Sequence, residues 1–144
     1  MAKLDVITAK LAALDDHVER VRAHVLASPE ALAGDRDAMD LVAFNLMLAV
    51  QCCVDIASHV IADAGWRPAP TLSGAFESLR QRGVISAPTA AALGRAVGLR
   101  NVVVHGYTGA DPSMIHAAAT DGTHDLERFA SEIAGWAHAR STRD

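Results

Sequence analysis

Apolar side chains recur at steps of three and four through most of this chain, the period of a helix with one face turned inward. Leu4, Ile7, Leu11, Leu14, Val18, Val21 and Val25 hold that spacing, with Lys3, Lys10, Asp15, Asp16, Glu19 and Arg20 on the other side, so a first helix is predicted over residues 4–27. Ser28-Pro29-Glu30 reads as a break. Gly34-Asp35-Arg36-Asp37 leads into a second helix that runs to about Ala64. After the turn Gly65-Trp66-Arg67-Pro68-Ala69-Pro70, Thr71 or Ser73 caps a short third helix with Ala75, Phe76 and Leu79 facing inward, and Gly83 ends it. Val84 and Ile85 form an apolar connector. A further helix starts near Pro88-Thr89 and frays at Gly106. Thr108-Gly109-Ala110-Asp111-Pro112 cannot continue it. Met114 to Ala119 reads as a separate helical piece, and Thr123 or Asp121 caps a last helix carrying Leu126, Phe129, Ile133 and Trp136, with a loose tail from about residue 141. No stretch alternates Val, Ile, Thr and Tyr as a strand would, so the fold class is all-α, and 144 residues suit one domain spanning 1–144 with a real core.

The helix ending at Gly106 concentrates the chemistry. Ala91, Gly94, Gly98, Asn101 and His105 share one face, a shallow groove of small residues ending in an amide and an imidazole. Leu93, Val97, Leu99, Val102, Val103 and Val104 cover the other sides, the pattern of a central rather than a peripheral helix. Each interior glycine costs about 1 kcal/mol relative to alanine, so two glycines four apart imply close packing, either within the monomer or against another subunit. Arg100 stands among valines and leucines, where a buried guanidinium needs a carboxylate or an anionic ligand. Two readings of Arg100, Asn101, His105 and Tyr107 stand side by side. In one, the arginine grips a phosphodiester and the histidine, with a reference pKa of about 6.5, moves protons without a metal. In the other, a helix-end histidine caps carbonyls beside a core tyrosine.

The second helix is apolar enough to raise a transmembrane span, but Asn45, Gln51, Asp55, His59 and Asp63 interrupt it, and ionisable groups at mid-bilayer are expensive. Gln51, Asp55 and His59 make a polar stripe that either faces solvent or faces the arginine helix, and Asp55 is the candidate carboxylate for Arg100. His17 and His24 lie seven apart without further ligands at zinc spacing, so no metal site is expected and they are read as surface or boundary residues. Adjacent Cys52 and Cys53 are poorly placed to bridge, and with no signal-like segment they imply reduced thiols in a cytoplasmic protein.

The formal net charge of −4 and the 4 % of aromatic residues are unlike a general nucleic-acid binder or a base-stacking platform. Between Ala64 and Ala110, however, Arg67, Arg80, Arg82, Arg95 and Arg100 face only Glu77. A basic middle suits a local phosphate site; a set of solvated helix-surface arginines would look the same.

Arg100-Asn101-Val102-Val103-Val104-His105-Gly106-Tyr107 resembles the Arg-x4-His-x-Tyr signature of the HEPN superfamily, and more narrowly that of HepT-like toxin ribonucleases. The stretch Asn45 to Ala57, Ala75-Phe76-Glu77-Ser78-Leu79 and Gly83-Val84-Ile85 are similar to segments of the same family. The resemblance implies an up-and-down bundle of four main helices plus short ones. It implies dimers whose motif helices meet across a cleft, so that two Arg100 and two His105 share one site. It implies a metal-independent endoribonuclease, with His105 as general acid/base, Arg100 on the scissile phosphate, and Asn101 and Tyr107 in support, needing no cofactor. The implied partners are RNA and a small nucleotidyltransferase antitoxin of the MntA type that transfers AMP to Tyr107. A non-catalytic nucleotide- or protein-binding module is the alternative.

Overall fold

The computed structural model describes residues 2–106 and 111–143, and among them six helices and no strand. In chain order these are α1 (Ala2–His24), α2 (Pro29–Ala33), α3 (Arg36–Asp63), α4 (Leu72–Gln81), α5 (Ala87–Val104) and α6 (Pro112–Arg143). The long helices form the bundle, with α2 and α4 as the short pieces.

Local chemistry sets most of the starts. Ser28, Asp35, Thr71 and Ser86 each sit in extended backbone and accept a hydrogen bond from a backbone N–H of the first helical turn, at Ala31, Ala38, Gly74 and Thr89 respectively. The Ser28-Pro29 break is therefore also the start of a five-residue helix, with proline in its first turn. Two differences from the sequence pattern concern α6. It is one continuous helix from Pro112, not two pieces, and it carries on to Arg143 where a loose tail was expected. Thr123 does not cap anything. It is buried, its hydroxyl donates to the Thr120 carbonyl 2.8 Å away, and it accepts from Arg22 Nε at 3.2 Å, tying α1 to α6.

The central helix is α3, which packs against all five others. It buries Val42, Leu46, Val50, Ile56 and Val60 among others, and 56 % of its most apolar stretch lies inside the bundle. Its apolar length is thus the signature of a core helix. Along α3 the core divides in two. The larger cluster surrounds Phe76 and Phe129, whose rings meet edge to face at 5.7 Å, and takes in the first half of α5 through Ala90, Leu93 and Val97. The smaller one gathers Val21, Leu32, Val42, Leu46 and Ile115, and anchors the far end of α5 through Leu99 and Val103.

A polar clamp fixes the start of α5. Glu132 on α6 accepts hydrogen bonds from the Ser86 N–H (2.7 Å), the Ser86 hydroxyl (2.9 Å) and the fully buried Thr89 hydroxyl (3.1 Å), while Arg128 Nε donates to Thr89 at 2.7 Å. The carboxylate also lies at the positive end of the α5 dipole. Both ends of α5 are therefore held, and its register against α3 is set.

Candidate functional site

The last turn of α5 carries Arg100, Asn101 and His105. Val103 and Leu99 point into the smaller cluster, which leaves Asn101 and His105 exposed on the outer side. His105 is the C-cap, its N–H donating to the Asn101 carbonyl at 3.2 Å. Gly106 follows with φ +87°, in the left-handed region where a side chain is strained, and its N–H closes the turn on the Val103 carbonyl at 3.0 Å. The imidazole hydrogen-bonds no other described residue. Tyr107, Gly109 and the intervening Thr108 lie outside the described residues, so the supporting and modification roles expected of Tyr107 find no structural description.

Arg100 departs from the expected pairing. Its partner is not Asp55. The guanidinium donates through Nη1 to Asn101 Oδ1 at 2.8 Å and through Nη2 to Gln51 Oε1 at 2.9 Å, while its buried Nε has no partner among the described residues. Asp55, one turn along α3, instead accepts from Gln51 Nε2 at 2.9 Å and lies 3.5 Å from Lys10 Nζ. The premise of full burial fails: Arg100 is only half-buried, so water solvates part of the charge and no carboxylate is required. The polar stripe does face the arginine helix, but through its amide. His59, the third member, is half-buried, and its Nε2 has no partner among the described residues. Asn101 orients the guanidinium through its oxygen and keeps its NH2 unused by described residues.

The small-residue face is open. A Cβ added at Gly94 or Gly98 would meet no atom within 4 Å, and Ala91, Arg95, Gly98 and Asn101 are exposed. Among the described residues nothing packs closely on these glycines, which favours the subunit reading over close packing inside the monomer, and α5 is a wall of the bundle rather than its centre. Between this wall and α6 lies a cavity of about 350 Å³, floored by Leu46, Val50 and Leu93 and edged by Arg95, Asp121 and Asp125.

The basic middle disperses in three dimensions. Arg80 pairs with Glu77, and Arg82 stacks over the Trp66 ring at 5.0 Å, both next to the beginning of α5. Only Arg95 and Arg100 stand on the motif helix itself, about 27 Å long at 1.5 Å per residue.

Elsewhere the titratable groups are structural. His17 Nδ1 donates to Asn45 Oδ1 at 3.1 Å, and that buried amide donates in turn to the Leu41 carbonyl. Burial pushes both cysteine thiols up, Cys53 strongly, which keeps them protonated and poorly nucleophilic. Among the described residues no three His, Cys, Asp or Glu side chains are grouped to hold a metal ion.

A family model described as "Ribonuclease HepT-like" matches residues 14–133. The mRNA nuclease HepT of Shewanella oneidensis is 26 % identical over 129 residues, which span 90 % of this chain and 96 % of that protein. A solved structure of a tri-AMPylated Shewanella oneidensis HEPN toxin in complex with an MNT antitoxin superposes with a TM-score of 0.84 at 26 % identity, covering 91 % of this chain and 98 % of the other. A toxin–antitoxin crystal structure with AMP-PNP reaches 0.85 at 24 % identity over the same shares and speaks for the fold alone.

Proposed function

Because the chain belongs to the HepT-like ribonuclease family, we propose that it is the RNA-cleaving toxin of a toxin–antitoxin pair, acting on phosphodiester bonds without a metal. The observation that carries this reading is the end of α5: an oriented guanidinium beside an exposed imidazole, both with N–H groups or ring nitrogens that no described residue uses. RNA supplies its own nucleophile. The 2′-oxygen forms a bond to the adjacent phosphorus as the bond from phosphorus to the 5′-oxygen breaks. One proton leaves the 2′-hydroxyl and one reaches the departing oxygen. A single histidine cannot serve as base and acid in one step. Two copies of α5, meeting along the open Ala91, Gly94, Gly98 face, bring two His105 and two Arg100 to one cleft, so that one imidazole accepts a proton while the other donates. Arg100 holds the phosphate and the charge that develops on it, with Asn101 steadying the guanidinium.

Purified protein incubated with total cellular RNA in excess EDTA tests this directly. RNA fragments should accumulate, while DNA and 2′-O-methyl RNA of the same sequence stay intact for want of the internal nucleophile. Full protection of RNA by EDTA removes the metal-independent mechanism, and absence of cleavage in magnesium as well favours a non-catalytic binding module.

The partner fits the same reading. The Shewanella oneidensis relative is tri-AMPylated and bound to its antitoxin. We place the acceptor in this chain at Tyr107, two residues after His105 and flanked by Gly106. Adenylyl groups there bring negative charge to a site that must attract phosphate. Co-expression with the cognate MntA-like nucleotidyltransferase should add adenylyl mass to the Tyr107 peptide and silence cleavage, and Tyr107→Phe should escape. A neutralised toxin of unmodified intact mass means inhibition by capping instead.

A further inference from the structure

Arg100 touches two amide oxygens and, among the described residues, no carboxylate. One of those amides is itself held. Gln51 reaches Arg100 with Oε1 and, at its other end, donates from Nε2 to Asp55 Oδ1 at 2.9 Å. The arrangement has one polarity. An ionised carboxylate only accepts and a guanidinium only donates, so a Gln51 amide turned over would set donor against donor at Arg100 and acceptor against acceptor at Asp55. Lys10 Nζ lies 3.5 Å from the other oxygen of Asp55. The chain of contacts thus runs from Lys10 on α1 through Asp55 and Gln51 on α3 to Arg100 on α5.

The neutral link matters for a group that must bind an anion. A carboxylate directly against the guanidinium would orient it equally well, but would occupy its charge and compete with phosphate. An amide fixes the direction of the guanidinium and leaves its charge uncancelled. The carboxylate that fixes the amide is kept one side chain away and has a lysine of its own.

We propose that Gln51 is the positioning residue of the site, aiming Arg100 at the RNA phosphate, and that Asp55 acts on Arg100 only through Gln51. This rests on the reading of Arg100 as the phosphate holder.

Steady-state cleavage of a short fluorogenic RNA by the full-length protein tests it, alongside thermal melting. Gln51→Glu keeps the size and shape of the side chain but puts a carboxylate on Arg100. It is expected to raise KM by about tenfold or more at low salt, beyond what any change in melting temperature accounts for, since the ion pair gained at Arg100 is offset by acceptor against acceptor at Asp55. Gln51→Leu, which releases the guanidinium without neutralising it, is expected to lower kcat by about tenfold with a smaller change in KM. A merely structural Gln51 predicts the reverse: activity that follows melting temperature and no split between KM and kcat. Wild-type kcat and KM in Gln51→Glu, with Arg100→Ala inactive, overturn the proposal while leaving the phosphate-holding arginine in place. Wild-type activity in Arg100→Ala overturns that underlying reading, and the proposal with it. If Gln51→Glu does not fold, Asp55→Asn provides the second arm, since a neutral amide at position 55 no longer fixes the Gln51 polarity. A several-fold fall in kcat/KM supports the relay, and an unchanged value overturns it.

Discussion

His105→Ala is expected to slow RNA cleavage by about 10²–10⁴-fold, the usual contribution of a positioned acid or base. The structure makes the substitution easy to interpret. His105 is exposed at the C-cap of α5, and its imidazole bonds no described residue, so removing it opens no cavity and strands no buried partner. The backbone bond from His105 to Asn101 survives, and Gly106 still supplies the left-handed turn. Circular dichroism and melting should therefore match wild type while activity disappears. Arg100→Ala is expected to cost about 10²–10³-fold through the lost charge on the phosphate. It frees Gln51 Oε1 at a half-buried position that water can reach, so the fold should again hold. Undiminished cleavage by folded His105→Ala protein would sink the acid/base assignment. Loss of toxicity in cells should run in parallel with loss of cleavage for both variants.

Gly98→Leu should abolish the proposed dimer and, with it, cleavage. Overfilling a helix contact ordinarily damages the monomer as well, which clouds the result. Here the damage is confined to a partner. Beyond α5's own backbone and the glycines' chain neighbours, nothing among the described residues lies within 4 Å of a Cβ at Gly98 or Gly94, and neither residue has a positive φ, so a leucine finds open space there. Relative to glycine it also favours the helix, by most of the roughly 0.8–1 kcal/mol that separates glycine from alanine. The expected variant is a monomer by light scattering, at least as stable as the wild-type subunit, and inactive on RNA because the second His105 never arrives. A Gly98→Leu protein that stays dimeric and active places the subunit contact elsewhere. A wild-type protein that is monomeric at micromolar concentration and still cleaves removes the shared cleft altogether.

Much of the fold is legible in the chain because its signal is local. Steps of three and four mark α1, α3, α4 and α5, and capping residues mark several starts. The misses have physical causes. The short α2 hides in a Ser-Pro break because the same two residues that stop one helix begin the next. Thr123 reads as a cap in α6 because hydroxyls favour helix starts; buried, it returns its proton to the Thr120 carbonyl and the helix passes through. The apolar character of α5 suggests a central position, yet its small residues form an open wall and α3 takes the centre. The candidate site residues stand out by their spacing, but the partner of Arg100 does not. Gln51 and Asp55 share one stripe a turn apart, and which of them reaches across depends on the packing offset of α3 and α5, which no pattern within a single helix encodes. Charge is the least legible: arginines close in sequence end up at opposite ends of α5.

The central helix also bears on how the chain is made. A stretch as long and apolar as α3 would, alone in water, invite aggregation or capture by a bilayer. In this chain it never has to wait alone. Synthesis delivers α1 first, and the inward stripe of α1, with Leu14 and Val18 at its heart, belongs to the same cluster as Val50, Val54 and Ala57 of α3. Only a short α2 separates the two, so they can close as a helical hairpin through contacts near in sequence, the kind that form fast. Nascent α3 thus meets a shield that has already left the ribosome, and α5, with the motif at its end, is laid onto a hairpin that has already buried part of its apolar surface.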